Sequence, residues 1–305
     1  MIDPTAMDDP QPSAIEDEPA GEAPATLSVP VGMAIRRILV ALDASNNSRA
    51  ALAAAIGLAE TFHAEIVGLF IEDINLVRLA ELPFAREVRF GEVAVHRFES
   101  ETIERKLRAR AAILRHELEE LATEHKVPST FRVLRGPIDR ELIAAAVEAD
   151  LLALGRLGHS LARRARLGST ARTAVARAAS AVLLVKTDVE NGPIIVLYDG
   201  SDAGRRALAL AAELAGKVGD IRTLVWATDE ETAFERRQEA ADFLANLEAE
   251  TQYQHLAGDN PQLVMRWINR QKGSLLIVGG WDNNLPADIL QTLLDDAEQH
   301  ILIIR

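Results

Sequence analysis

Two stretches of the chain, ILVALDASNNSRAALAAAIGLAE (38–60) and IIVLYDGSDAGRRALALAAELAG (194–216), align without a gap. No other feature restricts the fold as much, because chance alternation of apolar runs does not keep register from residue 38 through residue 73. Asp43 falls on Asp199, Ser45 on Ser201, Arg49 on Arg205 and Leu52 on Leu208, and further on Phe70 falls on Trp226 and Asp73 on Asp229. LLALG (151–155) then matches LLIVG (275–279), and AVLLVK (181–186) matches HILIIR (300–305). The chain is therefore two copies of one unit.

Within each copy, short runs that are apolar throughout alternate with stretches of helical spacing. In the first copy the predicted strands are 36–43, 65–73, 131–136, 150–155 and 181–186, and the helices 48–62, 102–125, 138–149 and 169–180. Strands without polar alternation are buried on both faces, so the unit is an α/β fold with a parallel sheet covered by helices on both sides. A composition of 48% hydrophobic but only 4% aromatic residues suits such a core of Ala, Leu, Val and Ile. Residues 1–33, rich in Pro and acid and free of Lys and Arg, are expected to be a disordered tail, with Met33 a second candidate start of translation. The expected organisation is a first domain over 34–186, a linker TDVENGP (187–193) and a second domain over 194–305.

Several function classes are excluded. The chain has no Cys, which removes disulfides, thiolate metal sites and thiol nucleophiles. A net charge of −13 disfavours binding to nucleic acid or anionic membranes, so neither is an expected partner. No apolar run is long enough to span a bilayer and no secretory leader is visible, which makes the cytoplasm the expected compartment. The seven histidines show no metal-ligand spacing, and surface positions are expected for those other than His159. There is no Walker A lysine, DASNNS (43–48) lacks the Gly-Gly loop of ATP pyrophosphatases, and no histidine pair of the nucleotidylyl-transfer type follows the first strand. No catalytic residue can be assigned.

The copies differ where chemistry is most readable. After its fourth strand the first copy carries GRLGHSLARRARLGST (155–170), a basic, glycine-rich segment in an acidic chain. The residues allow a solvated loop, a nucleic-acid patch or a phosphate cradle. Gly155 and Gly158 end the strand and open the loop, and Gly168 with Ser169 and Thr170 stands where a helix begins, a position whose free N–H groups and dipole favour an anion. Arg156, Arg163, Arg164 and Arg166 are candidates for charge-assisted contacts, and His159 lies in the same loop. The second copy has Gly279-Gly280-Trp281-Asp282 and no later Gly-Ser pair. The first copy also has an extra segment, 74–100, before its long helix, read as a helical excursion with a cleft lid or partner surface as alternatives.

Gly-x2-Gly-x9-Gly-Ser at 155, 158, 168 and 169, placed after the fourth strand, together with the opening ILVALDAS, resembles the ATP-binding motif and first strand of the universal stress protein family. The resemblance covers roughly 34–186 and 192–305. It implies two tandem flavodoxin-like, HUP-type domains, each a five-stranded parallel sheet of order 3-2-1-4-5. It implies a regulatory or stress-response role based on an adenine nucleotide, ATP or alternatively ADP or AMP with Mg on the phosphates, rather than metabolic catalysis; slow ATP hydrolysis stays open. Carried over, Ala41, Leu42 and Asp43 line the adenosine side with Ser45 beside them, the backbone near Phe70 meets adenine, and Gly155, Arg156, Gly158, His159, Gly168, Ser169 and Thr170 surround ribose and phosphates. Ala171 departs from the family pattern, which often has a hydroxyl there. One nucleotide per chain is expected, in the first copy. The apolar final strands imply an internal pseudo-dimer of the two halves, with a homodimer as a further expectation. The alternatives are an adenine-nucleotide-using enzyme of the same fold and a nucleotide-free structural interaction module.

Overall fold

A computed structural model of the chain describes residues 34–81, 86–87, 96–97, 100–157, 167–218, 220–227, 229–245, 251–256, 260–279 and 285–305. The first half runs β1 (Arg37–Ala41), α1 (Asn46–Phe62), β2 (Glu65–Asp73), α2 (Ile74–Glu81), a two-stranded ribbon β3 (Arg86–Glu87) and β4 (His96–Arg97), α3 (Ser100–Glu124), β5 (Ser129–Gly136), α4 (Ile138–Ala146), β6 (Leu151–Gly155), α5 (Ser169–Arg177) and β7 (Ala181–Val185). The second runs β8 (Ile194–Tyr198), α6 (Asp202–Val218), β9 (Ile221–Trp226), α7 (Glu230–Leu244), β10 (Thr251–Leu256), α8 (Pro261–Arg270), β11 (Leu275–Gly279), α9 (Ala287–Asp296) and β12 (His300–Ile304). The tail, 1–33, lies outside the described residues.

Setting the ribbon aside, each half has the order 3-2-1-4-5, as β5-β2-β1-β6-β7 and β10-β9-β8-β11-β12, and each is parallel throughout. The two sheets are not separate, however. β7 and β12 pair antiparallel, with Leu183 opposite Leu302, and join the halves into one ten-stranded sheet. An apolar edge strand leaves its backbone groups unpaired, and two such edges related by a pseudo-two-fold satisfy each other.

Two apolar layers cover the sheet. On one face Leu52, Ala55 and Ile56 of α1 and Leu114 and Leu118 of α3 pack with Ile38 and Val40, and α6 and α7 continue that layer in the second half. On the other, Leu142 of α4 and Ala171, Ala174 and Val175 of α5 pack with Leu39, Leu152 and Val182, joined by α8 and α9. α4 and α5 end earlier than their apolar spacing predicts, at Ala146 and Arg177, where the chain turns into the next strand.

The seam between the halves is also polar. The Arg156 guanidinium, only 4% exposed, donates to Leu294 O (2.6 Å) and Ala297 O at the end of α9. In the reverse direction Arg305 donates to Val175 O in the last turn of α5, while Arg206 Nε holds Arg305 O at 2.9 Å. Arg172 pairs with Asp295 at 3.3 Å. His300, expected at the surface, lies half-buried here. Its Nδ1 accepts from the Lys186 N–H (3.3 Å), and burial holds its pKa below the usual imidazole value.

Candidate functional site

The crevice forms where strand order reverses, beside β1. β1 ends at Ala41, and the chain leaves through Leu42, Asp43 and Ala44, the last in a left-handed conformation (φ 65°). The Asp43 carboxylate accepts from Ser45 N (2.9 Å), and Ser45 Oγ accepts from Ser48 N (3.1 Å) to cap α1. Asp199 and Ser201 repeat this in the second half, Ser201 N reaching Asp199 Oδ1 at 3.1 Å and Gly204 N reaching Ser201 Oγ at 3.0 Å. The repeated Asp-x-Ser is thus first a turn-and-cap device. So is the repeated arginine: Arg49 donates to Ala44 O and pairs with Glu117 at 2.9 Å, and Arg205 donates to Gly200 O and pairs with Glu239 at 2.9 Å.

Gly155 ends β6 against the first turn of α1. A Cβ there would meet Asn47 Cβ at 2.6 Å and its carbonyl carbon at 2.8 Å, so glycine is what lets the helix start beside the strand end. Gly168 caps α5 with no side-chain bond, and its N–H donates to Arg156 O (2.9 Å), tying the helix start to the residue after β6. The first N–H groups of α5, from Ser169 onward, have no partner within the helix and carry the positive end of its dipole.

These pieces enclose a cleft of about 400 Å³. Ala41, Leu42, Asp43 and Ser45 line it from the end of β1, Phe70 from β2, and Gly155, Gly168, Ser169 and Thr170 from the β6–α5 side. Four separate stretches of sequence converge there. Ala171, the departure from the family pattern, is 2% exposed and lines the same wall. Gly158 and His159, with Arg163, Arg164 and Arg166, lie outside the described residues. Arg156 needs correction: its side chain does not line the cleft but is committed to α9, and only its backbone participates, holding Gly168. Desolvation there lowers its pKa, partly offset by Asp295 and Asp296.

The sequence reading missed the outer wall. Leu76 of α2, Leu107 and Arg110 of α3 and Asp73 line the cleft, as do Ile138 and Leu142 of α4 and Leu157. A signal for it was present. Counted from the paired glutamates Glu117 and Glu239, α3 begins roughly two turns earlier than α7, and the extra length follows the first-half segment 74–100. That segment therefore helps to build the cleft through α2.

The second half has the same frame with different contents. At the position of Leu42 stands Tyr198, fully buried, its phenol pKa raised by burial and by Glu239. Gly200 (φ 76°) replaces Ala44. Arg236, three residues before Glu239 as Leu114 is before Glu117, donates to Trp226 O at the end of β9, and a methyl at Gly200 would come within 2.8 Å of its Nε. Gly280, Trp281 and Asp282, which stand where the first copy has its glycine-rich segment, lie outside the described residues.

The universal stress protein family model matches residues 34–186. Among solved structures, a universal stress protein from Archaeoglobus fulgidus DSM 4304 is similar over 88% of this chain and 98% of its own, with a TM-score of 0.67 and 16% identity. A functionally unknown protein from Pseudomonas aeruginosa PAO1 is similar over 89% of this chain and 93% of its own, with a TM-score of 0.60 and 16% identity. No curated protein matches the chain.

Proposed function

The chain belongs to the universal stress protein family, and we propose that it is an ATP-binding regulatory or stress-response member with one adenine-nucleotide site, in its first half. The observation that carries this reading is the convergence of Asp43, Phe70, Gly155 and the Gly168–Ser169 helix start on one cleft. A volume of about 400 Å³ suits a nucleotide, since small-molecule sites run from about 300 to 1,000 Å³. The apolar floor, Leu42, Leu69 and Phe70, suits a base, Asp43 suits ribose hydroxyls, and the α5 start suits phosphate. Gly158 and His159 complete the phosphate side in this reading. Mg enters with the phosphates in this reading.

The reading is of a binder rather than a catalyst; the hydroxyls of Ser45 and Ser48 in the cleft take part in the α1 cap. It takes 34–186 and 194–305 as the two units, with 187–193 between them, in a cytoplasmic protein. Among the described residues no helix is long and apolar enough to cross a membrane. Native mass spectrometry of freshly purified protein, followed by titration with Mg-ATP, tests the reading. One adenine nucleotide per chain is expected, and Gly168→Trp, which fills the α5 start, should abolish it. Absence of binding in the unaltered protein, or full affinity in Gly168→Trp, would overturn it.

A further inference from the structure

The cleft is walled from both faces of the sheet. α5, which offers its N-terminus, packs with α4 on one face, whereas α3 packs with α1 on the other. Arg110 therefore stands across the cleft from Ser169. It lies one turn beyond Leu107, a buried α3 residue that lines the cleft along with Phe70, Ile71 and Asp73 at the end of β2. Of the four α3 arginines, Arg105, Arg108, Arg110 and Arg115, it is the one among the residues that line this cleft. Arg108 and Arg135 pair with Glu104, and Arg49 pairs with Glu117, while Arg110 forms no ion pair or hydrogen bond among the described residues. A guanidinium left unpaired beside an apolar wall is planar, weakly hydrated and suited to lie on the face of an aromatic ring.

We propose that Arg110 is a specificity-determining residue of the cleft, its guanidinium stacking on the purine base from the α3 side. The inference rests on the adenine-nucleotide reading above. It also separates the halves, for α7 begins so late that the place of Arg110, counted from the paired glutamate, falls to Thr232 in its first turn.

Equilibrium binding of adenosine, AMP and Mg-ATP to the full chain and to Arg110→Ala, Arg110→Lys and Arg110→Tyr tests it. Arg110→Ala should weaken all three ligands by a similar factor, roughly 3- to 30-fold. Tyr, which also stacks, should keep most of the affinity, and Lys, a point charge, should not restore it. All variants should melt with the unaltered protein, because Arg110 is exposed and has no partner among the described residues. Unchanged affinity in Arg110→Ala would overturn the inference alone. So would a loss that grows with the number of phosphates and is repaired by Lys, since that assigns Arg110 to charge rather than to the base. Failure of the unaltered protein to bind any of the three would overturn the parent reading and this one with it.

Discussion

The two halves share a strand order, an Asp-x-Ser cap and an arginine–glutamate brace, yet their crevices hold different things. In the first, Leu42 lines an open cleft at the strand ends, and the longer α3 adds a wall through Leu107 and Arg110. In the second, Tyr198 and Arg236 bring bulk to the corresponding ground, Arg236 capping the carbonyl of Trp226. The turn and cap residues survive in both copies, and the residues that differ give the two crevices different linings. Asp43 teaches this most directly. Its repetition as Asp199 follows from the turn both halves must make; the surroundings of Asp43 give its carboxylate access to a cleft, whereas Asp199 is buried.

The largest expected effect concerns what joins the halves. Arg156→Ala removes the donors of two buried α9 carbonyls and leaves a void, and should destabilise the chain by about 3 kcal/mol in urea unfolding. A loss under about 0.5 kcal/mol would mean that Arg156 adds little to the seam. Next comes the left-handed turn that each half makes with a different residue. Gly200→Ala should cost about 1–2 kcal/mol, from positive φ and from the approach to Arg236, whereas Ala44→Gly should be neutral or stabilising by up to about 1 kcal/mol. Equal responses at the two sites would break the distinction.

Arg236→Ala should destabilise by about 1 kcal/mol through loss of its bond to the Trp226 carbonyl. It should not add a second nucleotide to the titration, because the second half lacks a Gly-Ser helix start. The smallest effect is pH dependence at the seam. Burial lowers the folded-state pKa of His300, so the unfolded chain takes up the proton first. Its contribution is intact above the ordinary imidazole pKa and is lost as pH falls below it. Melting temperatures measured downward from pH 7 should show less acid sensitivity in His300→Gln than in the unaltered protein.

Much of this was legible in the sequence. The repeat predicted two equivalent sheets, and apolar runs without alternation predicted strands buried on both sides. The strand ends that line the cleft followed from the glycines and from Asp43. Arg156 was misassigned for a physical reason: a basic residue beside a motif glycine looks like a phosphate ligand, and only the fold reveals α9 carbonyls next to it. The wall formed by Leu76, Leu107 and Arg110 was hidden because helical spacing reports which face of α3 meets the sheet, not how far its first turns overhang the strand ends. His300 reads as an unremarkable start of a final strand until β7 lies alongside it.

Amide hydrogen exchange of the full chain with and without Mg-ATP bears most directly on the claim that one half alone receives the nucleotide. Slowed exchange is expected at 41–43, 69–71 and 168–171, with no change at 198–204 or 225–227. Equal protection of both sets, or protection confined to the second half, would contradict it.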